Sequence, residues 1–124
     1  MKTDRPVNLA LWTFKYPLAA IASLTHRITG AVLFVGVAYL LYLLELALGS
    51  DQGFADARTL LAEPFPKLVL FAVLATLIYH VVAGIKHLFL DFHVGDSLEG
   101  SRVAAQLTVA VSLMLILAVG VWLW

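Results

Sequence analysis

The sequence predicts an all-α integral membrane protein: one domain of three transmembrane helices that forms part of a larger helical bundle. Three observations predict it. Of the 124 residues, 62% are hydrophobic and only 13% charged, where a soluble domain carries roughly 45–50% and about 25%. Three apolar runs each approach the roughly 20 residues needed to cross a bilayer core. Basic residues cluster toward one end of those runs, as the orientation rule for membrane helices requires.

Taken in order, residues 1–17 form an N-terminal segment on the cytoplasmic side. The first 20 residues contain Asp4, Arg5, Lys15, Pro6 and Pro17 and lack the uninterrupted apolar core of a removable signal peptide. The first helix spans residues 18–48, since Pro17 suits a helix start and no breaker follows. At about 30 residues it is roughly 45 Å long, longer than the hydrocarbon core, so its first turns project from the membrane as a docking surface. Residues 49–67 read as a loop from their Gly, Asp and Pro content, with a short amphipathic turn around 54–61. The second helix spans residues 68–90, residues 91–101 connect it onward, and the third helix spans residues 103–124.

With the N-terminus inside, the inner side holds Lys2, Arg5, Lys15, Arg27, Lys86 and Arg102, against Arg58 and Lys67 outside. That asymmetry predicts N-in, C-out. Trp12 and Tyr16 on one side, with Trp122 and Trp124 on the other, fit interfacial aromatic belts.

Several chemistries are excluded. Without cysteine, the chain has no disulfide, thiolate nucleophile, cysteine-ligated iron–sulfur cluster or covalent c-type haem attachment. No glycine-rich nucleotide motif appears, so neither flavin nor nicotinamide has sequence support here. Eight basic residues balance eight acidic ones, which gives no pointer to nucleic acid.

The unusual polar residues gather near one leaflet. Ser23, His26 and Arg27 stand at i, i+3 and i+4 on the first helix, with Gly30 continuing the stripe. On the second helix, His80 and His87 are two turns apart, roughly 10 Å along the axis, and Gly84 between them exposes backbone to which a flat ring could come close. His80 is the costliest, being the deepest ionisable group on an apolar helix. Two readings stand for it: a neutral imidazole ligating the iron of a noncovalent b-type haem, or a histidine hydrogen-bonded to a neighbouring helix. Arg27 and His87 taken singly read as boundary residues that snorkel to lipid phosphates. Grouped with His26 and Lys86 they form a cationic rim above His80, suited to an anionic ring edge. Lys86 lies off the His87 direction and taken alone reads as a surface charge. Ser23, Thr25, Asp91, His93 and Glu45 each have ordinary readings as helix-entry, helix-end or interfacial groups.

The segments "RPVNLALW", "SLTHRITGAVLF" and "YHVVAGIKHLFLDF" together resemble the cytochrome b membrane-anchor subunit of succinate dehydrogenase, complex II, one of the two membrane anchors of that complex. The resemblance covers essentially the whole chain. It implies that His80 is an axial haem b ligand, with the second ligand from the other membrane anchor; that Ser23 and Arg27 line the ubiquinone site; and that His26, Arg27 and His87 surround the haem and its propionates. It further implies docking of a flavoprotein subunit and an iron–sulfur subunit, contact with phospholipid, and a multi-pass place in a bacterial inner membrane. Thr25 stands where an apolar residue is expected, Thr29 where serine is common, and Lys86 where arginine is common; the last keeps a charge and loses the planar fork. Two alternatives accompany this reading: a fumarate reductase anchor running the chemistry in reverse, and a nonredox membrane scaffold or transport subunit.

Overall fold

A computed structural model describes residues 17–95 and 97–124. Trp12, Tyr16, Lys2, Arg5, Lys15 and the rest of the segment 1–16 lie outside the described residues. Four helices follow in order: α1 (Leu18–Gly49), α2 (Asp51–Ala62), α3 (Pro64–Asp91) and α4 (Leu98–Leu123). All the described secondary structure is helical, and α1, α3 and α4 are long and apolar enough to cross a membrane.

α1 starts where Pro17, in extended backbone, turns its carbonyl to the amides of Ala20 and Ile21. Along the apolar helices, the hydroxyls of Thr25, Thr76 and Thr108 donate to the carbonyl four residues back. A hydroxyl in lipid that finds such a partner avoids the penalty of an unpaired polar group.

The segment 49–67 differs from its reading as a loop, because twelve of its residues form α2. Ser50 caps it by accepting from the Gly53 amide at 2.9 Å, and Asp51 sits in the first turn, where an acid favours the helix dipole. Gly53 packs so closely on the Leu46 carbonyl that a Cβ would collide with it, so glycine here is what allows the sharp α1–α2 corner. Glu63 then breaks the helix, and Pro64 at the first position opens α3 four residues earlier than hydropathy alone suggests. α4 likewise starts at Leu98 rather than Val103, since the Ser97 hydroxyl accepts from the Gly100 amide.

α3 packs on both α1 and α4, antiparallel to each, and α1 and α4 also touch. On the α1 side, Tyr79 Oη donates to the Ala22 carbonyl (3.1 Å) at one end, and Tyr39 Oη donates to the Pro66 carbonyl (3.0 Å) at the other. On the α4 side, the Phe71 and Trp124 rings meet edge to face at 5.6 Å, and the Lys67 ammonium sits 5.8 Å from the Trp124 ring centroid. The seams hold small residues, with Ala83 and Ala105 fully buried, while Phe34, Val121 and Trp122 point outward. In lipid, close packing of small residues replaces water exclusion as the force that joins helices. The outward apolar surface therefore faces lipid or further helices.

Candidate haem-facing histidine cluster

The N-terminal half of α1 and the C-terminal half of α3 cross where His26, Thr29 and Gly30 meet His80, Gly84 and His87. Antiparallel packing sets this register, and Tyr79 to Ala22 is its nearest fastening. His80 Nδ1 lies 3.1 Å from the His26 carbonyl oxygen and 3.1 Å from Thr29 Oγ1. Thr29 Oγ1 itself donates to the His26 carbonyl at 2.8 Å. Since its proton is committed there, the hydroxyl faces Nδ1 as an acceptor. A carbonyl oxygen also only accepts, so both neighbours of Nδ1 require the proton on that nitrogen. The tautomer inferred in this way leaves the lone pair on Nε2, which makes no hydrogen bond among the described residues.

The His26 ring stacks on His80, with centroids 4.1 Å apart and planes at 17°, and His87 tilts against the other part of His26 at 5.1 Å and 42°. Two glycines make room. A Cβ on Gly30 would sit 3.1 Å from His80 Cε1, and one on Gly84 would sit 3.4 Å from His26 Nε2. Gly84 therefore admits a ring, as its spacing from His80 suggested, and the ring present is the His26 imidazole.

The other sequence candidates separate. His26 turns inward with Ala22 and Thr29, while Arg27, one step round the helix, is exposed and Ser23 is half-buried at the edge. Lys86, the remaining member of the rim, is 6% exposed and lines the seam between α3 and α4 with Leu107 and Thr108. A single-residue step turns a helix by about 100°, enough to move a side chain from the α1 side of α3 to the α4 side. Thr29 is the residue that sequence reasoning missed. Its signal was present as the one hydroxyl at i+3 from His26, a spacing that places it on the inward stripe.

At the C-terminal end of α3, His93 and Gly95 adopt φ of 59° and 78°. The His93 amide donates to the Leu90 carbonyl and the Val94 amide to the Phe89 carbonyl, each at 2.9 Å. This is the paired-bond stop of a Schellman motif with histidine in the left-handed position, and it lays Val94 back toward Phe89.

The donor set fits haem. One imidazole with Nδ1 tied to a backbone carbonyl and Nε2 unengaged is the arrangement by which outer hydrogen bonds orient a metal-ligating histidine. No group of three or more His, Cys, Asp or Glu side chains that could enclose a metal occurs among the described residues, and a haem iron needs only one such ligand from this chain.

Comparison with known proteins gives a consistent result. Residues 1–119 match the family model described as succinate dehydrogenase/fumarate reductase transmembrane subunit. The succinate dehydrogenase cytochrome b556 subunit of Coxiella burnetii is 38% identical over 125 residues, covering all of both chains. The subunit of the same name from Paracoccus denitrificans is 33% identical over 90% of this chain and 86% of its own. The mitochondrial cytochrome b560 subunit of Dictyostelium discoideum is 32% identical over 70% of this chain and 45% of its own. Together with three membrane-length helices, these matches show that the chain belongs to the succinate dehydrogenase/fumarate reductase family of transmembrane cytochrome b subunits.

Proposed function

We propose that the chain is the haem b anchor subunit of a succinate:ubiquinone oxidoreductase, seated in a bacterial inner membrane with its N-terminus inside and C-terminus outside. The observation that carries this reading is the His80 imidazole, whose Nδ1 is occupied by the His26 carbonyl and Thr29 hydroxyl so that Nε2 is left for iron. When bound, haem b supplies a one-electron centre at its iron. His80 would hold the haem iron from this chain, and the second membrane-anchor subunit would supply a further ligand. His26, His87 and Arg27 stand at the inner end of the cluster and balance the propionates.

Succinate oxidation belongs to the flavoprotein and iron–sulfur subunits, which dock on the inner end of the bundle near the start of α1. Ubiquinone enters from lipid beside α1. Ser23 donates a hydrogen bond to a quinone carbonyl, and the exposed Arg27 guanidinium stabilises negative charge that develops on the quinone oxygen during reduction. Protons arrive from the inner aqueous side. Membership in a cytochrome b family argues against the nonredox scaffold.

The test uses the intact complex. Arg27→Leu should lower quinone reduction about 100-fold, by analogy with loss of one oxyanion donor, and Ser23→Ala about tenfold. Succinate oxidation by a soluble dye should be unchanged in both variants. Equal loss of both activities would mean that the two residues hold the assembly together and do not serve the quinone.

A further inference from the structure

His26 meets His80 twice. Its carbonyl accepts from the His80 Nδ1–H at 3.1 Å, and its own ring lies over the His80 imidazole with centroids 4.1 Å apart and planes at 17°. The two contacts constrain different things. A hydrogen bond at Nδ1 fixes the tautomer and the direction of that edge of the ring. It leaves the ring plane soft, because the χ2 torsion of histidine has a broad well and a carbonyl oxygen accepts over a wide range of directions. A second ring laid face to face is what stops the His80 imidazole from rocking about its Cβ–Cγ bond on that side.

The His26 ring is itself seated. A Cβ on Gly84 would stand 3.4 Å from His26 Nε2, so the ring rests against the α3 backbone one turn beyond His80. His87 tilts against it at 5.1 Å and 42°. On α1, one turn along from His26, a Cβ on Gly30 would stand 3.1 Å from His80 Cε1, so the helix backbone closes on the edge of the ring that His26 covers by its face. The imidazole of His80 is thus tied at one nitrogen, covered on one face and bounded at one carbon, all by the turn of α1 that starts at His26.

We propose that the His26 side chain is a positioning residue: its ring acts as a flat plate that sets the plane in which the His80 imidazole presents Nε2. This role rests on the reading of His80 as the haem ligand and deepens it. It uses the face of the His26 ring, whereas balancing an anionic propionate uses the ring nitrogens, so the two roles can be separated. The plane of an axial imidazole governs how its π orbitals overlap the iron d orbitals. Rotating that plane therefore moves the g values of the oxidised low-spin centre even when the ligand set is unchanged.

The experiment is electron paramagnetic resonance of the oxidised intact complex, with the rate of haem transfer to a scavenging protein as a second readout. His26→Ala keeps the backbone carbonyl and removes the plate. Its lowest-field g value should shift while the b-type optical bands persist, and haem should leave about tenfold faster, the low end of the effect of losing an outer contact to a metal-ligating histidine. His26→Phe supplies a flat ring without nitrogens and should bring both readouts back toward the parent. His26→Leu fills the space without a flat face; it should shift the g value as alanine does, and it decides the matter if the alanine variant does not assemble. A phenylalanine variant that behaves like alanine would overturn the proposal, because the nitrogens and not the face would then matter. Parent-like g values in His26→Ala or His26→Leu would overturn it as well. Bands that survive His80→Leu would overturn the haem reading beneath it; bands lost there, with g values unmoved at position 26, would overturn the plate alone.

Discussion

The two faces of α3 are built from the same helix and differ in how they treat polar groups. Toward α1, polar groups are tied across the seam: Tyr79 with Ala22, His80 Nδ1 with the His26 carbonyl and Thr29, and Thr29 with His26. Toward α4, the seam is close, with Ala83, Ala105 and Thr108 buried; the Thr108 hydroxyl donates to the Ala104 carbonyl, and Ser112 Oγ, 2% exposed, has no partner among the described residues. The first face uses its hydrogen bonds to orient one imidazole. The second packs small residues. A helix in lipid has no water with which to satisfy stray polar groups, so a partnered face marks a positioned site.

Substitutions can break or sharpen this contrast, and the largest effect is expected at His80. His80→Leu should abolish the b-type bands in the reduced-minus-oxidised spectrum of the intact complex, since no other described residue offers an equivalent imidazole. Bands of unchanged position and intensity would remove His80 from the haem site.

Gly30→Leu comes next, because even a Cβ would lie 3.1 Å from His80 Cε1. Overpacking of this kind costs about 1–3 kcal/mol, so thermal unfolding of the complex should shift down while the haem bands move or broaden. A lower melting temperature with unaltered bands would mean that the glycine serves packing alone.

Thr29→Val keeps the shape and removes one acceptor from Nδ1. Loss of an outer hydrogen bond at a metal-ligating histidine weakens metal affinity roughly 10–100-fold. Haem should be lost faster to a haem-scavenging protein, with Thr29→Ser close to the parent. The lower end of that range is expected because the His26 carbonyl remains.

Ser112→Ala, on the α4 side, should have the smallest effect and the opposite sign. Removing a buried hydroxyl that has no partner relieves a desolvation penalty of about 1 kcal/mol. Thermal unfolding of the complex should therefore rise slightly; a fall would reveal a partner for Ser112 in the assembled bundle.

Much of the fold was legible because the membrane simplifies the problem. A span needs some 20 apolar residues and tolerates few charges, so three helices stood out from hydropathy alone. α2 did not, since its alternation of small, acidic and apolar residues resembles a loop until Ser50 and Pro64 are recognised as its boundaries. At the histidine cluster, the cost of burying an imidazole drew attention to His80, and helical spacing tied His26 to it. Thr29 was passed over because a threonine in a membrane helix ordinarily bonds its own backbone, as Thr25 and Thr76 do.

The sequence by itself determined that the chain is helical, that three of its helices are long and apolar enough to cross a membrane, and that its unusual polar groups share one end of the bundle. These follow from composition and from the fixed rise of a helix. Only the tertiary structure decided which residues meet: that His26 stacks on His80 while Arg27 turns out, and that of the chain neighbours Lys86 and His87, the first lines the α3–α4 groove and the second meets His26. The reason is rotational. Periodicity gives the angle between side chains on one helix, and a neighbouring helix must be in place before any of those angles points at a partner.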